Sequence, residues 1–477
     1  MKRIFSRDFL SPLVRLSNNW LSLTGVVIVT TATVFWLFLL PVTLRGQITH
    51  PYIGILIFLL LPVFFVAGLL LIPAGMLLRR RRERGRGARL AGLPALTWRN
   101  RDFRRLVTFV GVTTVVNIVV ASQLTYGAVE YMDSVTFCGL TCHQVMQPEY
   151  TAHENSPHAR VACVACHIGP GASWFVRSKL SGTGQVFATI FDTYPRPIPT
   201  PVKSLRPARE TCEVCHWPQR FDQDKLVITP SYADDAQNTP SQTVLLVKIG
   251  GRGRGIHGMH VGEGVHIRYA SDETRQTIPW VEYEDPEGHK TAYAEDGAKG
   301  GPPANLTIRE MDCIDCHNRP THAFDMPGAG MDKAMAAGLI SPSLPFVKKE
   351  GLAILKKAYP TRNQAAAQIP AAFVAYYRNG YPAVYQRQPE QIRRSAQALL
   401  GIYDRNVFPA MNIAWGTYPN NIGHNDFPGC FRCHDGNHSS AGGKVVTQDC
   451  GACHNLLAIQ ETNPKILTDL DLTGGTP

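Results

Sequence analysis

Residues 163–167 read CVACH, and this short grammar decides how the chain is read. It recurs at CEVCH (212–216), CIDCH (313–317), CFRCH (430–434) and CGACH (450–454), and once with an added residue at CGLTCH (138–143). The 12 cysteines therefore fall into pairs: Cys138/Cys142, Cys163/Cys166, Cys212/Cys215, Cys313/Cys316, Cys430/Cys433 and Cys450/Cys453. None is left over. A histidine follows each pair at once: His143, His167, His216, His317, His434 and His454.

This is the pattern of covalently attached c-type haem, in which two thiols bond the porphyrin and the adjacent histidine reaches the iron. Zinc ribbons also use C-x-x-C pairs, but tetrahedral zinc makes no demand on the residue after the second cysteine. A disulfide framework suits short secreted chains, not one of 477 residues with long apolar stretches. Six haems are expected.

An iron with two strong axial ligands transfers electrons, whereas an open position lets it act on a small molecule. Ten histidines lie outside the motifs: His50, His153, His158, His257, His260, His266, His289, His322, His424 and His438. Closeness to a motif singles out His158, His322 and His438, with His424, His257 and His260 next. For any one of them the ordinary role is a surface or hydrogen-bonded residue.

Three stretches without charge, 21–44, 53–78 and 106–129, are each long enough to cross a bilayer, which takes about 20 apolar residues. The first is too long for a cleaved signal and lacks a clear cleavage site. Residues 79–105 hold eleven arginines against Glu83 and Asp102, and residues 1–20 carry Lys2, Arg3, Arg7 and Arg15 against Asp8. The positive-inside rule then puts the N-terminus and this basic loop in the cytoplasm and everything after 129 in the periplasm. The overall charge of +11 is thus a matter of topology, and no nucleic-acid partner is implied. The bilayer is the implied partner of this end.

The expected architecture is a membrane-anchored multihaem cytochrome c. Its parts are an N-terminus (1–20), a three-helix anchor (21–129), a triple-haem domain (130–220), a β-rich haem-free insert (221–310) and a three-haem C-terminal domain (311–477). The last contains a helical insert at 323–423, and the periplasmic part is mainly helical or irregular. That part is rich in Gly and Pro and has long stretches without clear periodicity, as expected if haems supply much of its apolar core. In the β-rich insert, QTVLLVKIG (242–250), GVHIRYA (264–270) and TIPWVEYE (277–284) read as strands. The loop GIHGMH between the first two carries His257 and His260, which could reach two different irons. MDKAMAAGLI, PFVKKEGLAILKKAY and PEQIRRSAQALLGIYDR have helical spacing.

The run TFCGLTCHQVMQPEYTAHENSPHARVACVACHIG (136–169), just after an apolar stretch, resembles the NapC/NirT group of membrane-anchored, quinol-oxidising multihaem cytochromes. RPARETCEVCHWPQRF, MDCIDCHNRPTHAF and FPGCFRCHDGNH are similar to larger inner-membrane members found in metal-reducing bacteria. The resemblance implies that electrons come in at the haem on Cys138 and Cys142, beside the membrane. In small family members a methionine just after the motif histidine ligates that iron. Here Met146, His143 and His153 are the candidates. The family's quinol pocket uses a lysine and an acidic residue after the second motif, which match Lys179 and Asp192, with Gln185 between them. Three anchor helices, six haems and the wider first cysteine pair depart from the small-family pattern.

The implied activity is that of an inner-membrane menaquinol dehydrogenase working in anaerobic respiration. It would pass electrons through six haems to a periplasmic cytochrome or terminal reductase. A terminal reductase of a small nitrogen or sulfur substrate, and an electron conduit without its own quinol site, are the alternatives.

Overall fold

The computed structural model describes residues 60–85 and 129–472, apart from short gaps at 142, 170, 203–204, 218–222, 252, 296 and 298–300, together with parts of 19–33 and 123–128. The chain divides into two compact units, Met1–His143 and Gln144–Pro477.

In the first unit, helix α1 spans Leu61–Gly85, and its segment Leu61–Arg79 is long and apolar enough to cross a membrane. Val63, Phe64, Val66, Leu70 and Leu77 project from it exposed, the surface a lipid-facing helix presents. The helix outruns the expected span: the first residues of the basic segment, Arg79–Glu83, continue it, since long arginine side chains can reach headgroups from a helix end. The described residues between Trp20 and Val29 are also helical, and they pack closely on α1. A Cβ on Gly68 would lie 2.9 Å from the Gly25 carbonyl oxygen, and the Ser22 hydroxyl donates to the Ile72 carbonyl at 2.9 Å. Small residues and a hydroxyl at a helix crossing are how apolar helices associate in lipid. The expected span 106–129 lies almost wholly outside the described residues, as does most of 21–44.

This unit ends at the first motif, where Phe137–Thr141 forms a single π-helical turn. A π turn takes one more residue than an α turn. The residue that makes this motif C-x-x-x-C is thus absorbed in the backbone.

In the second unit, helices α2 (His143–Glu154), α3 (Cys163–His167), α4 (Ala172–Ile190) and α5 (Ala208–Cys212) carry the second and third motifs. Strands β1 (Lys225–Tyr232) and β2 (Pro240–Val247) form an antiparallel hairpin. Helix α6 (Gly255–Val261) follows, then β3 (His266–Ser271), β4 (Trp280–Glu284), β5 (Lys290–Ala294) and β6 (Thr307–Glu310) in a sheet ordered β5-β4-β3-β6. The fourth motif begins α7 (Cys313–Cys316).

The expected loop GIHGMH is therefore a helix. Its entry turn is made by Gly250 and Gly255, both at positive φ, where a Cβ on Gly255 would stand 2.7 Å from the Gly250 Cα. The strands over 242–250, 264–270 and 277–284 form as read, with shifted ends. Beyond the sequence reading are β1, β5, β6 and β7 (His454–Glu461), the last of which pairs with β2. The β insert is thus not self-contained, because its first sheet is completed by the chain that leaves the sixth motif.

Helices α8 (Pro327–Ala336), α9 (Val347–Leu355), α10 (Arg362–Gly380), α11 (Pro382–Arg387) and α12 (Pro389–Asn406) surround the largest apolar core of the described residues. Met331, Ile354, Phe373, Tyr377, Leu399 and Ile402 are fully buried there. The motif-bearing segments contribute smaller apolar clusters. Helix α13 (Cys450–Cys453) holds the sixth motif, and α14 (Lys465–Asp469) follows β7.

Candidate functional site

Five motif histidines each face one histidine from elsewhere in the chain. The ring centres are 5.9 Å apart for His216 and His158, and 6.2 Å for His167 and His322. They are 6.3 Å apart for His317 and His257, 5.8 Å for His434 and His260, and 6.3 Å for His454 and His424. An imidazole nitrogen sits about 2 Å from a first-row metal and roughly 1 Å from its own ring centre, so two rings on opposite sides of one ion have centres about 6 Å apart. The five pairs have the spacing of two axial ligands.

The hydrogen bonds fix the tautomers that such ligation needs. Nδ1 of His260 donates to the Ile256 carbonyl at 2.8 Å, that of His434 to the Thr447 carbonyl at 2.6 Å, and that of His158 to the Pro320 carbonyl at 3.3 Å. His322 Nδ1 lies 3.1 Å from the Glu149 carbonyl oxygen and 3.0 Å from its carboxylate. With the proton held on Nδ1, the lone pair is left on Nε2. Burial also keeps these rings neutral. It pushes the pKa of His167, His257, His260 and His317 below the ordinary histidine value and takes His322 down to about 4, with the Arg319 cation adding to the last. A neutral imidazole is the ligating form.

The cysteines of the described residues are all free thiols, in no disulfide, as attachment to a porphyrin requires. Cys166, Cys215, Cys430 and Cys450 are exposed and the others half-buried, so the sulfurs are open to attachment. The Cys215 and His216 amides both donate to the Cys212 carbonyl, at 3.1 and 2.8 Å, which closes a tight turn between the two cysteines of the third motif. Cys215 is near the preceding motif: burial raises the pKa of Cys166, and the Cys212, Cys163 and Cys215 thiols add to the rise.

His438 does not belong with the facing histidines. Its ring is 1% exposed, with Nδ1 2.9 Å from Asp435 Oδ1 and Nε2 2.7 Å from the Ile278 carbonyl oxygen. Both nitrogens are engaged, so the expectation based on its closeness to His434 is corrected: it ties the fifth motif to the strand region instead. His153 is also buried, its Nε2 2.9 Å from the Val161 carbonyl oxygen and its Nδ1 without a hydrogen-bond partner. His266 and His289 pair with Glu310 and Asp285 at the surface. His50, Cys142 and the side chain of His143 lie outside the described residues.

The pairings cross the sequence. His158, near the second motif, faces the third; His322, near the fourth, faces the second. His257 and His260, one turn apart on α6, face the fourth and fifth. His424 stacks on Phe431 of the fifth motif at 4.3 Å while facing His454 of the sixth.

Successive motifs are also neighbours. Helix α5 packs against both α3 and α7, and the Cys212 and Cys313 thiols are within hydrogen-bonding reach. Cys316 lies near Cys433, and Cys430 near Cys453, close enough for each to raise its neighbour's thiol pKa. The second to sixth motifs therefore form one unbroken series in chain order.

The interior positions of the motifs lock that series together. Asp315, 3% exposed inside CIDCH, accepts hydrogen bonds from the Tyr269 hydroxyl, from Arg275 at 2.7 Å and from the Asp312 amide at 2.7 Å. Arg432, inside CFRCH, donates to the carbonyls of Asp315 and Arg275, each at 2.6 Å. Neither residue was singled out from the sequence, because the two positions between the cysteines are unconstrained by attachment chemistry.

The residues expected at a quinol pocket are spread along α4 and its exit. Lys179 is on this helix, with its side chain outside the described residues. Gln185 is exposed and donates to the Ser181 hydroxyl at 3.4 Å. Asp192, exposed just past the helix at φ +54°, accepts from Arg196 at 2.5 Å, and this bond holds its carboxyl below the usual carboxylate range. Met146 is partly buried against Val145, Phe408, Met411 and Tyr418.

The profile of the NapC/NirT cytochrome c family, N-terminal region, matches residues 100–198. The cytochrome c-type protein ImcH of Geobacter sulfurreducens is 38% identical over 451 residues, covering 93% of this chain and 89% of that protein. No solved structure matches.

Proposed function

From the premise that this chain belongs to the NapC/NirT cytochrome c family, a family with covalently bound c-type haem, we propose that it is a membrane-anchored quinol dehydrogenase with six such groups. The observation that carries this reading is the set of five histidine pairs, each adjoining a cysteine pair, in one series. A c-type haem with two axial imidazoles supplies one-electron transfer and leaves no position for a substrate.

In this reading Cys163/Cys166 with His167 and His322 hold one group, and Cys212/Cys215 with His216 and His158 the next. Cys313/Cys316 with His317 and His257, Cys430/Cys433 with His434 and His260, and Cys450/Cys453 with His454 and His424 hold the other three. The first group is held by Cys138 and Cys142, with His143 and Met146 as alternatives for one axial position, since they are three residues apart on one helix. The five pairs leave no open position at their groups, so a small-molecule reductase would have to work at the first one.

Quinol oxidation releases two electrons and two protons, so its site needs a hydrogen-bond partner for the quinol oxygen and a proton acceptor. Lys179 and Gln185 can bind the oxygens. Asp192, exposed and held ionised by Arg196, accepts a hydrogen bond from the hydroxyl, and the released protons pass from there to bulk water. Menaquinol is the proposed donor and a periplasmic cytochrome or reductase the acceptor, with the N-terminus cytoplasmic and the motifs periplasmic.

Anaerobic stopped-flow mixing of the oxidised protein with a reduced menaquinone analogue tests this reading. Rapid, inhibitor-sensitive growth of the haem α-band is expected. No reduction, while dithionite still reduces every group, would mean that electrons arrive through a partner. Lys179→Leu is expected to slow reduction by quinol but not by dithionite, and equal slowing by both would remove Lys179 from the pocket.

A further inference from the structure

Helix α4 exposes a stripe of large apolar side chains that nothing in the proposed activity requires. Leu180 is 71% exposed, Phe187 56%, Ile190 47%, and Phe191, just past the helix end, 69%. Their spacing of i, i+7, i+10 and i+11 puts them along one side of a helix with 3.6 residues per turn. Phe187 and Phe191 stack with ring centres 6.4 Å apart and so form one continuous patch. The partly covered Gly182, Val186 and Thr189 lie on the other side, and the exposed polar Ser181 and Gln185 form the border.

The charge of the helix points to what meets that stripe. Residues 172–190 contain Arg177 and Lys179 and no acidic residue. Arg177 lies over the Trp174 ring at 5.1 Å, a pairing of cation and indole suited to the level of lipid headgroups. A helix with an apolar stripe and only basic charges lies in the interface plane of a bilayer, drawn there by anionic lipid as well as by burial. The chain itself carries the apolar helix Leu61–Arg79, so a bilayer is tethered to this unit wherever the protein is inserted.

We infer that helix Ala172–Ile190 is a second membrane contact, lying in the headgroup region of an anionic bilayer with Leu180, Phe187, Ile190 and Phe191 dipped into the acyl boundary. The inference extends the quinol reading, because Lys179 and Gln185 ride on this helix and would be brought to the depth where quinol headgroups sit. Its test uses no quinol, so the two readings can fail separately.

The experiment uses the full-length haem-loaded protein in nanodiscs containing anionic phospholipid. Phe187→Cys, Leu180→Cys and Ser181→Cys are each labelled with a nitroxide, after the haem absorbance shows that all groups are attached. Collision of the label with oxygen, which concentrates in acyl chains, is compared with collision with a water-soluble nickel chelate. The expected result is an oxygen-to-nickel ratio several-fold higher at 187 and 180 than at 181. Equal ratios at the three positions would overturn the inference by placing the stripe in water. Exclusion of both reagents at 187 and 180 would overturn it by placing the stripe against protein.

Discussion

The ring of His322 stands 6.2 Å from that of His167, the histidine of the second motif, although His322 is only five residues past the histidine of the fourth. Nearness to a motif marks His322 in the sequence but does not say which motif's histidine it faces. His322→Ala is expected to open one axial position, giving a high-spin haem signal and one equivalent of carbon monoxide binding on reduction. His438→Ala is expected to leave the low-spin spectrum unchanged. It should instead lower stability by about 1–3 kcal/mol, because the Ile278 carbonyl and Asp435 carboxylate lose a buried partner. Electron paramagnetic resonance of the two variants separates the roles, and a high-spin signal from His438→Ala would refute the assignment.

If His322 and His167 hold one haem, as proposed, Glu149 acts on it through His322 and is a positioning residue. Its carboxylate is 3.0 Å from His322 Nδ1 and 3.3 Å from Arg319. Burial raises its pKa, and Arg319 opposes that rise. A carboxylate accepting from Nδ1 makes the imidazole a stronger ligand, which favours the oxidised metal. Glu149→Gln should therefore raise the midpoint potential of one haem, by roughly 60 mV for each tenfold loss in preference for the oxidised state. Spectroelectrochemical titration checks this. An unchanged set of potentials with altered thermal stability would reduce Glu149 to a packing role.

Arg432 joins two motifs by donating to the carbonyl of Asp315 in one while standing inside the other. Its removal leaves carbonyl acceptors without their charged donor, a loss of about 3 kcal/mol. Arg432→Ala is expected to lower the thermal midpoint and broaden the spectra of the fourth and fifth haems together. Arg432→Lys should recover only part of this, since an ammonium cannot span both carbonyls as a guanidinium fork does.

The helical segment α8–α12 is held by its own apolar core, and Phe373 and Tyr377 at its centre are fully buried with ring centres 5.2 Å apart. Phe373→Ala should cost about 3–5 kcal/mol. Haem content and the α-band are expected to stay at wild-type levels while calorimetry shows an earlier transition. Loss of haem in this variant would mean that the segment props up the motifs directly.

The sequence by itself determined the chemistry of attachment. Two thiols and an adjacent histidine leave a local signature, and long uncharged stretches with an arginine-rich flank leave another, because both depend on neighbouring residues alone. Family resemblance was legible for the same reason, in the runs around the first motifs. Of the six histidines favoured as distal ligands, His158, His257, His260, His322 and His424 stand opposite a motif histidine and His438 does not. Only the tertiary structure decided which ring faces which, since each partner is brought in from a different segment and the choice depends on which ring nitrogen is left without a hydrogen bond. His438 and His322 look alike in the sequence; a carbonyl from Ile278 occupies one and a carboxylate from Glu149 orients the other. The same holds for β7, whose pairing with β2 depends on a register between segments about 200 residues apart. It holds again for Asp315 and Arg432, whose positions inside the motifs gain meaning only when the fold places one motif against the next.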